Sequence, residues 1–394
     1  MSHTITLSNA RVVLADEVMH GCIHIQDGTI QDVHTGGTSV TSAVDMGGDY
    51  VLPGFIEIHT DNFERHLMPR PSTHWPSVPA LLAHDAEIAA AGITTVFDAL
   101  GVGDIDHESL RGADLRGVIN AFDACVAQDI LRAEHFFHVR CELPAPNTIE
   151  LFQPFINHAR LRLISLMDHT PGQRQWENVD AARIYYTGKK GWSEDKFQTQ
   201  LAHSKTIQAK HAVPHREYFV ALCREHGIAL ASHDDTTVSH VQQAHHEGVA
   251  ICEFPTTLLA AQTARSLGLL TVMGGPNVVR GGSHSGNVAA VELAKHGLLD
   301  MLSSDYVPGS LLSAVVKLVD SDIMTWPQAV ALVSSNPAAA CKLPDRGVIA
   351  AGMRGDLVQV HVADMSQTAG TGTAPKHSRH GVVRAVWRRG QRVV

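Results

Sequence analysis

In VLPGFIEIHTDNFERHLMPRP an apolar run ends in His59 and Asp61, a histidine and an aspartate two residues apart. Side chains two apart on a strand share a face, so an imidazole nitrogen and a carboxylate oxygen could hold one cation between them. Such a mixed donor set suits zinc, manganese or iron, whereas oxygen alone would suit magnesium or calcium. Similar residues close other apolar runs: Asp98 in ITTVFDAL, Glu142 in HFFHVRCEL, Asp168 and His169 in LRLISLMDH, His233 to Asp235 in ASHDD, Glu253 in VAICEFP and Asp305 in LDMLSSD. Alternation also puts His138, Arg140 and Glu142 on one face of their run. A lone His-x-Asp is weak evidence; its repetition at the ends of successive runs predicts a metal centre.

Cations cluster near these ends. Arg65, His66 and Arg70 follow the first run, Arg140 precedes Glu142, Lys189 and Lys190 lie in GKKG, and Arg280 and His284 lie in RGGSHSGN. The chain as a whole has a formal charge of -9. Local cations on an acidic chain point to a small anionic molecule, not to nucleic acid or an anionic membrane. RGGSHSGN, with Ser283, Ser285 and Asn287, is expected to lead into a helix over SGNVAAVELAKHG whose N-terminus would favour phosphate.

Elements that could position these groups are legible in the pattern. Eight strands are predicted at 55–61, 93–100, 135–143, 161–169, 227–234, 249–255, 269–275 and 299–305, separated by helical stretches. PALLAHDAEIAAAG has Pro79 near its start and Gly92 at the capping position, and HREYFVALCREHG closes on Gly227. Eight strand–helix units over about 290 residues predict an α/β fold, a (β/α)8 TIM-like barrel, whose active site lies at the C-terminal ends of its strands. Every predicted strand but the seventh ends in a carboxylate or an imidazole. Short strands with Asp-Gly and Gly-Gly turns at both termini predict a small β-sandwich domain from 1–51 and 344–394, flanking a barrel over 52–343.

The bulk numbers fit an ordinary globular chain of 394 residues, 44% apolar and 18% charged. Six cysteines without a CxxC pair fit reduced thiols, and Cys141, Cys252 and Trp176 read as packing residues. The N-terminus lacks a signal-peptide pattern, and no apolar segment approaches the roughly 20 residues that span a bilayer. A cytoplasmic location is expected.

The donors taken together resemble the amidohydrolase superfamily: HTD where most members have HxH, a bridging carboxylate, later histidines and an aspartate on the eighth strand. VLPGFIEIH leading into the barrel and GVIAAGMRGDLV leading out also match that family. The fourth strand has no lysine to bridge two metals, so Glu142 takes that role by resemblance. The sixth strand carries Glu253 where histidine is usual, and His169 is expected to supply the missing imidazole. More narrowly, HTDNFERHLMPRP, LLAHDAEIAAAGITTVFDAL, MDHTPGQRQW, YYTGKKGWS, SHDDTT, EFPTTLLAA, GGPNVVRGGSHSGNVAA and SSDYVPGSLL resemble the phosphonate-utilisation diphosphatases (PhnM type) of the carbon-phosphorus lyase pathway.

That resemblance implies a hydrolase acting on phosphoric anhydride bonds, converting α-D-ribose 1-methylphosphonate 5-triphosphate to the 5-phosphate and pyrophosphate. The expected ligands of two divalent ions, zinc, manganese or iron, are His59, Asp61, Glu142, His169, His233 and Asp305, with Glu253 in reserve and Asp305 as general base. Arg65, His66, Arg70, Arg140, Lys189, Lys190, Arg280 and His284 are expected to meet the phosphates. The partners expected are a small phosphorylated substrate and no nucleic acid or membrane; a homo-oligomer and contacts with other phosphonate-pathway proteins are compatible with this. The competing readings are an amide hydrolase such as an N-acetyl amino sugar deacetylase, and a non-catalytic metal-binding subunit.

Overall fold

The computed structural model describes residues 3–70, 73–103, 115–283, 286–365 and 379–394, apart from the Lys189 side chain. Strands β1 (Thr4–Val13), β2 (Val18–Gln26), β3 (Thr29–Thr35), β4 (Val44–Asp45) and β5 (Tyr50–Pro53) come first. Then follow β6 (Phe55–Thr60), β7 (Ile93–Val102), β8 (Glu134–Glu142), β9 (Leu161–Met167), β10 (Ala229–His233), β11 (Ile251–Glu253), β12 (Leu270–Gly274) and β13 (Met301–Ser303). The chain ends with β14 (Leu357–Asp364), β15 (Arg379–Arg388) and β16 (Gln391–Arg392).

β6 to β13 form one eight-stranded sheet in strict chain order, a nearly closed parallel barrel. All eight predicted strands are present. The barrel strands are buried along nearly their whole length, as in β6 and β7, because a parallel sheet covered on both sides has no wet face. Closure is local to the two end strands: Thr60 bridges Asp305, the Asp305 N–H donates to the His59 carbonyl at 3.2 Å, and the Asp61 N–H donates to the Asp305 carbonyl at 3.2 Å. Beneath this seam the wholly buried Glu57 accepts from the backbone N–H of His59 (2.6 Å) and of Ser304 (2.5 Å). Burial pushes the Glu57 carboxyl up to about 7 against those hydrogen bonds.

The remaining eight strands make a separate mixed sheet, with order β16-β15-β14-β5-β1-β2-β3 and β4 beside β1. β2 and β3 are joined by Asp27 and Gly28, both at positive φ (49° and 80°), the backbone of a tight primed hairpin turn. β14 returns antiparallel to β5, pairing Gln359 with Val51, so the two termini share one ladder. Leu7, Val12, Ile23, Ile25, Val51, Leu357 and Trp387 form its core. By contacts the chain divides into two compact units, Met1–Phe97 with Ala124–His135 and Gly274–Val394, and Asp98–Asp123 with Phe136–Met273.

An ion-pair cluster fixes the return from the barrel to the terminal sheet. Arg346 Nη1 lies 2.5 Å from Glu134 Oε2 and 2.9 Å from Thr95 Oγ1, and Arg354 reaches the same Glu134 oxygen and Asp356. Burial acts against the Glu134 carboxylate, but the two guanidinium groups outweigh it and hold the pKa down to about 2. A depressed folded-state pKa contributes stability above the unfolded value, near 4.5, and loses it as pH falls towards 2. Glu134→Gln is therefore expected to destabilise the protein at neutral pH by about 2 kcal/mol, less than for a wholly buried pair because each arginine keeps an aspartate partner. Urea unfolding at stepped pH checks this, and the variant should lose less stability than wild type between pH 4.5 and 2.

One helix exceeds its predicted extent. Glu194–His226 is a single 33-residue helix with Pro214 inside it, ending on Gly227 at φ 65° as expected. Only Phe197, Ala212, His215, Phe219 and Cys223 are buried along it. Its first half therefore shows little apolar periodicity. Among the described residues no helix is long and apolar enough to cross a membrane.

Candidate metal centre

Several barrel strands deliver donors where the ladder stops, whereas Asp98 lies inside β7 and β12 ends without one. Glu142, His233 and Glu253 are the last residues of β8, β10 and β11, and His169 lies just past β9. Glu142 is buried and receives the His169 N–H on Oε1 at 3.0 Å, while its Oε2 lies 2.5 Å from His169 Nδ1. This pairing turns His169 Nε2 towards Asp234 Oδ2, 3.9 Å away. His233 Nε2 is 3.6 Å from the same carboxylate oxygen, and His233 Nδ1 is 3.3 Å from Glu253 Oε2. His169, His233 and Asp234 thus each offer a ligand atom, all within 4.8 Å of one another.

Asp234 was not among the ligands expected from sequence. Strict alternation would turn it away from His233, but its φ is 56°, a left-handed conformation that breaks the alternation at the strand end. The doublet in SHDDTT was the available signal. Behind these groups Glu253 is wholly buried, accepts from Ser165 Oγ at 2.6 Å, and lies 3.8 Å from His138 Nε2. Asp168 accepts from Thr170 N and Gln208 Nε2, both at 3.1 Å; burial nonetheless raises its carboxyl above the ordinary range.

On β6 His59 is buried, and Asp61 follows at the first turn of the helix Asn62–Leu67, which it does not cap with its side chain. Asp61 Oδ1 is buried and has no hydrogen-bond partner among the described residues. A buried carboxylate oxygen without a donor is costly, and a cation beside it would remove the cost. Asp305 lies just beyond β13 at φ 56° and accepts from Thr60 Oγ1 on its carbonyl at 2.8 Å. Two imidazoles with a carboxylate at one cluster, and an orphaned carboxylate oxygen at Asp61, fit a divalent transition metal.

The expected phosphate-binding cations fall into three groups. Arg65 donates through Nη1 to the Tyr306 carbonyl (2.7 Å) and to Asn62 Oδ1 (3.2 Å), while Asn62, itself buried, donates to Glu87 Oε2 (3.0 Å). His66 Nε2 shares a hydrogen bond with that same Glu87 oxygen at 2.8 Å. Arg140 is buried on β8; Arg70, Lys190 and Arg280 are exposed, with Lys190 Nζ 5.8 Å from the Tyr186 ring centroid. His284 and the Lys189 side chain lie outside the described residues. The helix expected over SGNVAAVELAKHG begins only at Ala290 and ends at Lys295. Its Ala290 N–H is taken by Asn277 Oδ1 at 2.9 Å, so Ser283 and Asn287 do not open that helix.

The loops after β9, β10 and β11 are tied together. Arg174, buried and at φ 47°, forms an ion pair with the wholly buried Asp235. Burial and the neighbouring Arg216 lower Arg174 only to about 10, so it stays a cation at neutral pH. Thr236 Oγ1 donates to the Arg174 carbonyl at 2.8 Å and Thr257 Oγ1 donates to the Thr236 carbonyl at 2.8 Å.

The amidohydrolase family model matches residues 206–394. The alpha-D-ribose 1-methylphosphonate 5-triphosphate diphosphatase of Escherichia coli (strain K12) is 44% identical over 389 residues, 98% of this chain and 99% of that protein. Among solved structures, dihydropyrimidinase from Brevibacillus agri NCHU1002 has a TM-score of 0.60 at 13% identity, covering 100% of this chain and 95% of that one. The 5-methylcytosine deaminase from Klebsiella pneumoniae has a TM-score of 0.62 at 15% identity, covering 99% and 98%. At those identities the structural matches speak for the fold alone.

Proposed function

The chain belongs to the amidohydrolase family, as a close relative of the Escherichia coli diphosphatase, and from that premise we propose that it hydrolyses α-D-ribose 1-methylphosphonate 5-triphosphate to the 5-phosphate and pyrophosphate. The observation that carries this reading is the near full-length identity to that enzyme. The cations after β6 are consistent with it, since a triphosphate brings several negative charges to the site. We further propose that His59, Asp61, Glu142, His169, His233 and Asp305 hold two divalent ions of zinc, manganese or iron, with Asp234 and Glu253 as additional donors. The C-terminal strand ends, where these donors stand, are where parallel barrels carry their active sites.

Bound there, the ions would acidify the attacking water and neutralise charge on the phosphoryl oxygens. Glu142 fixes the His169 ring by engaging Nδ1, which directs Nε2 as the ligand atom. Asp305 is the group to accept the proton from water, because it stands at the open end of β13 on the same seam as His59. Arg65, held on two neutral acceptors, keeps its charge available for a phosphate oxygen. Arg70, Arg140, Lys190 and Arg280, with His66, His284 and Lys189, belong to the same proposed phosphate-binding set. The domain boundary is proposed at 51/52 and 343/344, and the reaction is proposed to be cytoplasmic.

Incubating purified, metal-supplied protein with the ribosyl triphosphate and, separately, with an N-acetylated amino sugar phosphate tests the reading. Pyrophosphate from the first and no acetate from the second is the expected result; acetate release alone would overturn it.

A further inference from the structure

We propose that the buried Arg174–Asp235 ion pair is a positioning device that sets the geometry of the ligands His169, His233 and Asp234. The inference rests on the metal-dependent reading above and adds two residues that touch neither substrate nor metal. His169 and Asp234 reach the cluster from different loops. His169 is five residues before Arg174, and Asp234 is next to Asp235.

The hydrogen bonds around the pair tie these loops to one another. Asp235 Oδ2 accepts from Ser232 Oγ at 2.5 Å and faces Cys252 Sγ at 3.4 Å, which binds it to β10 and β11. The Thr256 N–H donates to the Asp235 carbonyl at 2.9 Å, and Thr256 Oγ1 donates to Thr236 Oγ1 at 2.7 Å. Arg174 closes the loop after β9 against this block with its guanidinium and, through its carbonyl, with Thr236. Two loop residues at positive φ, Asp234 at 56° and Phe254 at 53°, sit in this block, as does Arg174 at 47°. Left-handed backbone in non-glycine residues persists only where the surroundings over-determine it. Asp235 is thus doubly constrained, and it passes that constraint to Asp234 through one peptide bond. A structural pair at this depth would be replaceable by apolar residues without loss; a positioning pair would not.

Asp235→Asn keeps the shape and the contacts with Ser232 and Cys252 while removing the charge that holds Arg174. In the full-length protein, the cobalt(II) dissociation constant is expected to rise about 10–100-fold, the usual effect of removing an outer partner of a metal ligand. The visible absorption of bound cobalt(II) is expected to change shape; the metal-free protein should also melt lower, because Arg174 loses its buried partner, so affinity and spectrum are read at a temperature where both proteins stay folded. Arg174→Lys, which retains the charge but not the guanidinium group that meets Asp235 Oδ1, is the second variant and should fall between the Asp235→Asn variant and wild-type protein in affinity. Unchanged affinity and an unchanged cobalt spectrum in both variants would overturn the proposal. Failure of the wild type itself to bind cobalt(II) would overturn instead the metal-dependent reading on which it rests.

Discussion

Asp305→Asn is expected to lower kcat by about 10³-fold, within the range for losing a positioned general base, while the protein remains folded and still binds metal. The fold should survive because Asp305 serves the barrel seam through its backbone: its N–H and carbonyl bridge His59, Thr60 and Asp61. Its left-handed φ of 56° is also one that asparagine adopts readily. Asparagine keeps an oxygen that can still face a metal ion but cannot take a proton. Steady-state kinetics beside circular dichroism and metal analysis separates the outcomes. A variant with unchanged kcat would remove Asp305 from the reaction, and one that has lost both metal and activity would make it a ligand first.

His233→Ala is expected to act one step earlier, on the metal. His233 lies between Asp234 and Glu253, 3.6 Å and 3.3 Å from their carboxylate oxygens. Its removal takes one donor from the cluster and leaves two acidic groups without the imidazole between them. The affinity for a divalent ion should fall by more than the roughly 10–100-fold that outer partners typically contribute. Thermal melting reads this directly: a ligand at 100 times its Kd adds about 2.7 kcal/mol to the folded state. Wild-type protein should melt higher with added metal and the variant should hardly respond. An equal shift in both would place the ion elsewhere.

Much of the barrel is visible in the sequence because parallel strands covered on both sides are nearly continuous apolar runs, and all but the seventh of these runs carry a carboxylate or an imidazole at or near their ends. β6 and β13 are cases where the run stops within two residues of the donor. The terminal sheet is equally legible through turns such as Asp27-Gly28, which leave little choice of hairpin geometry. Three features escape such reading. Asp234 points with His233 because its own φ breaks the two-residue period, and no periodicity reports a single dihedral angle. The first half of Glu194–His226 buries few residues, so its helical period is masked by polar side chains and by Pro214. Serine, glycine and asparagine before Ala290 look like capping residues, yet the capping acceptor comes from Asn277, thirteen residues earlier. For Asp234 one unusual backbone angle decides the outcome, and before Ala290 a tertiary contact does.

Arg174 and Asp235 belong to a fourth kind. MDHTPGQRQW and SHDDTT both stand out as motifs, but only the fold brings the guanidinium of one against the carboxylate of the other. Their pairing explains why each of those stretches can bury a charged residue.

The most direct test of the central claim is phosphorus NMR of the reaction with α-D-ribose 1-methylphosphonate 5-triphosphate, run with metal and again after exhaustive chelation. The expected spectrum shows pyrophosphate and the ribosyl 5-phosphate appearing in equal amounts with metal, and no turnover without it. Stepwise release of orthophosphate, or turnover that persists in the metal-free protein, would contradict the account.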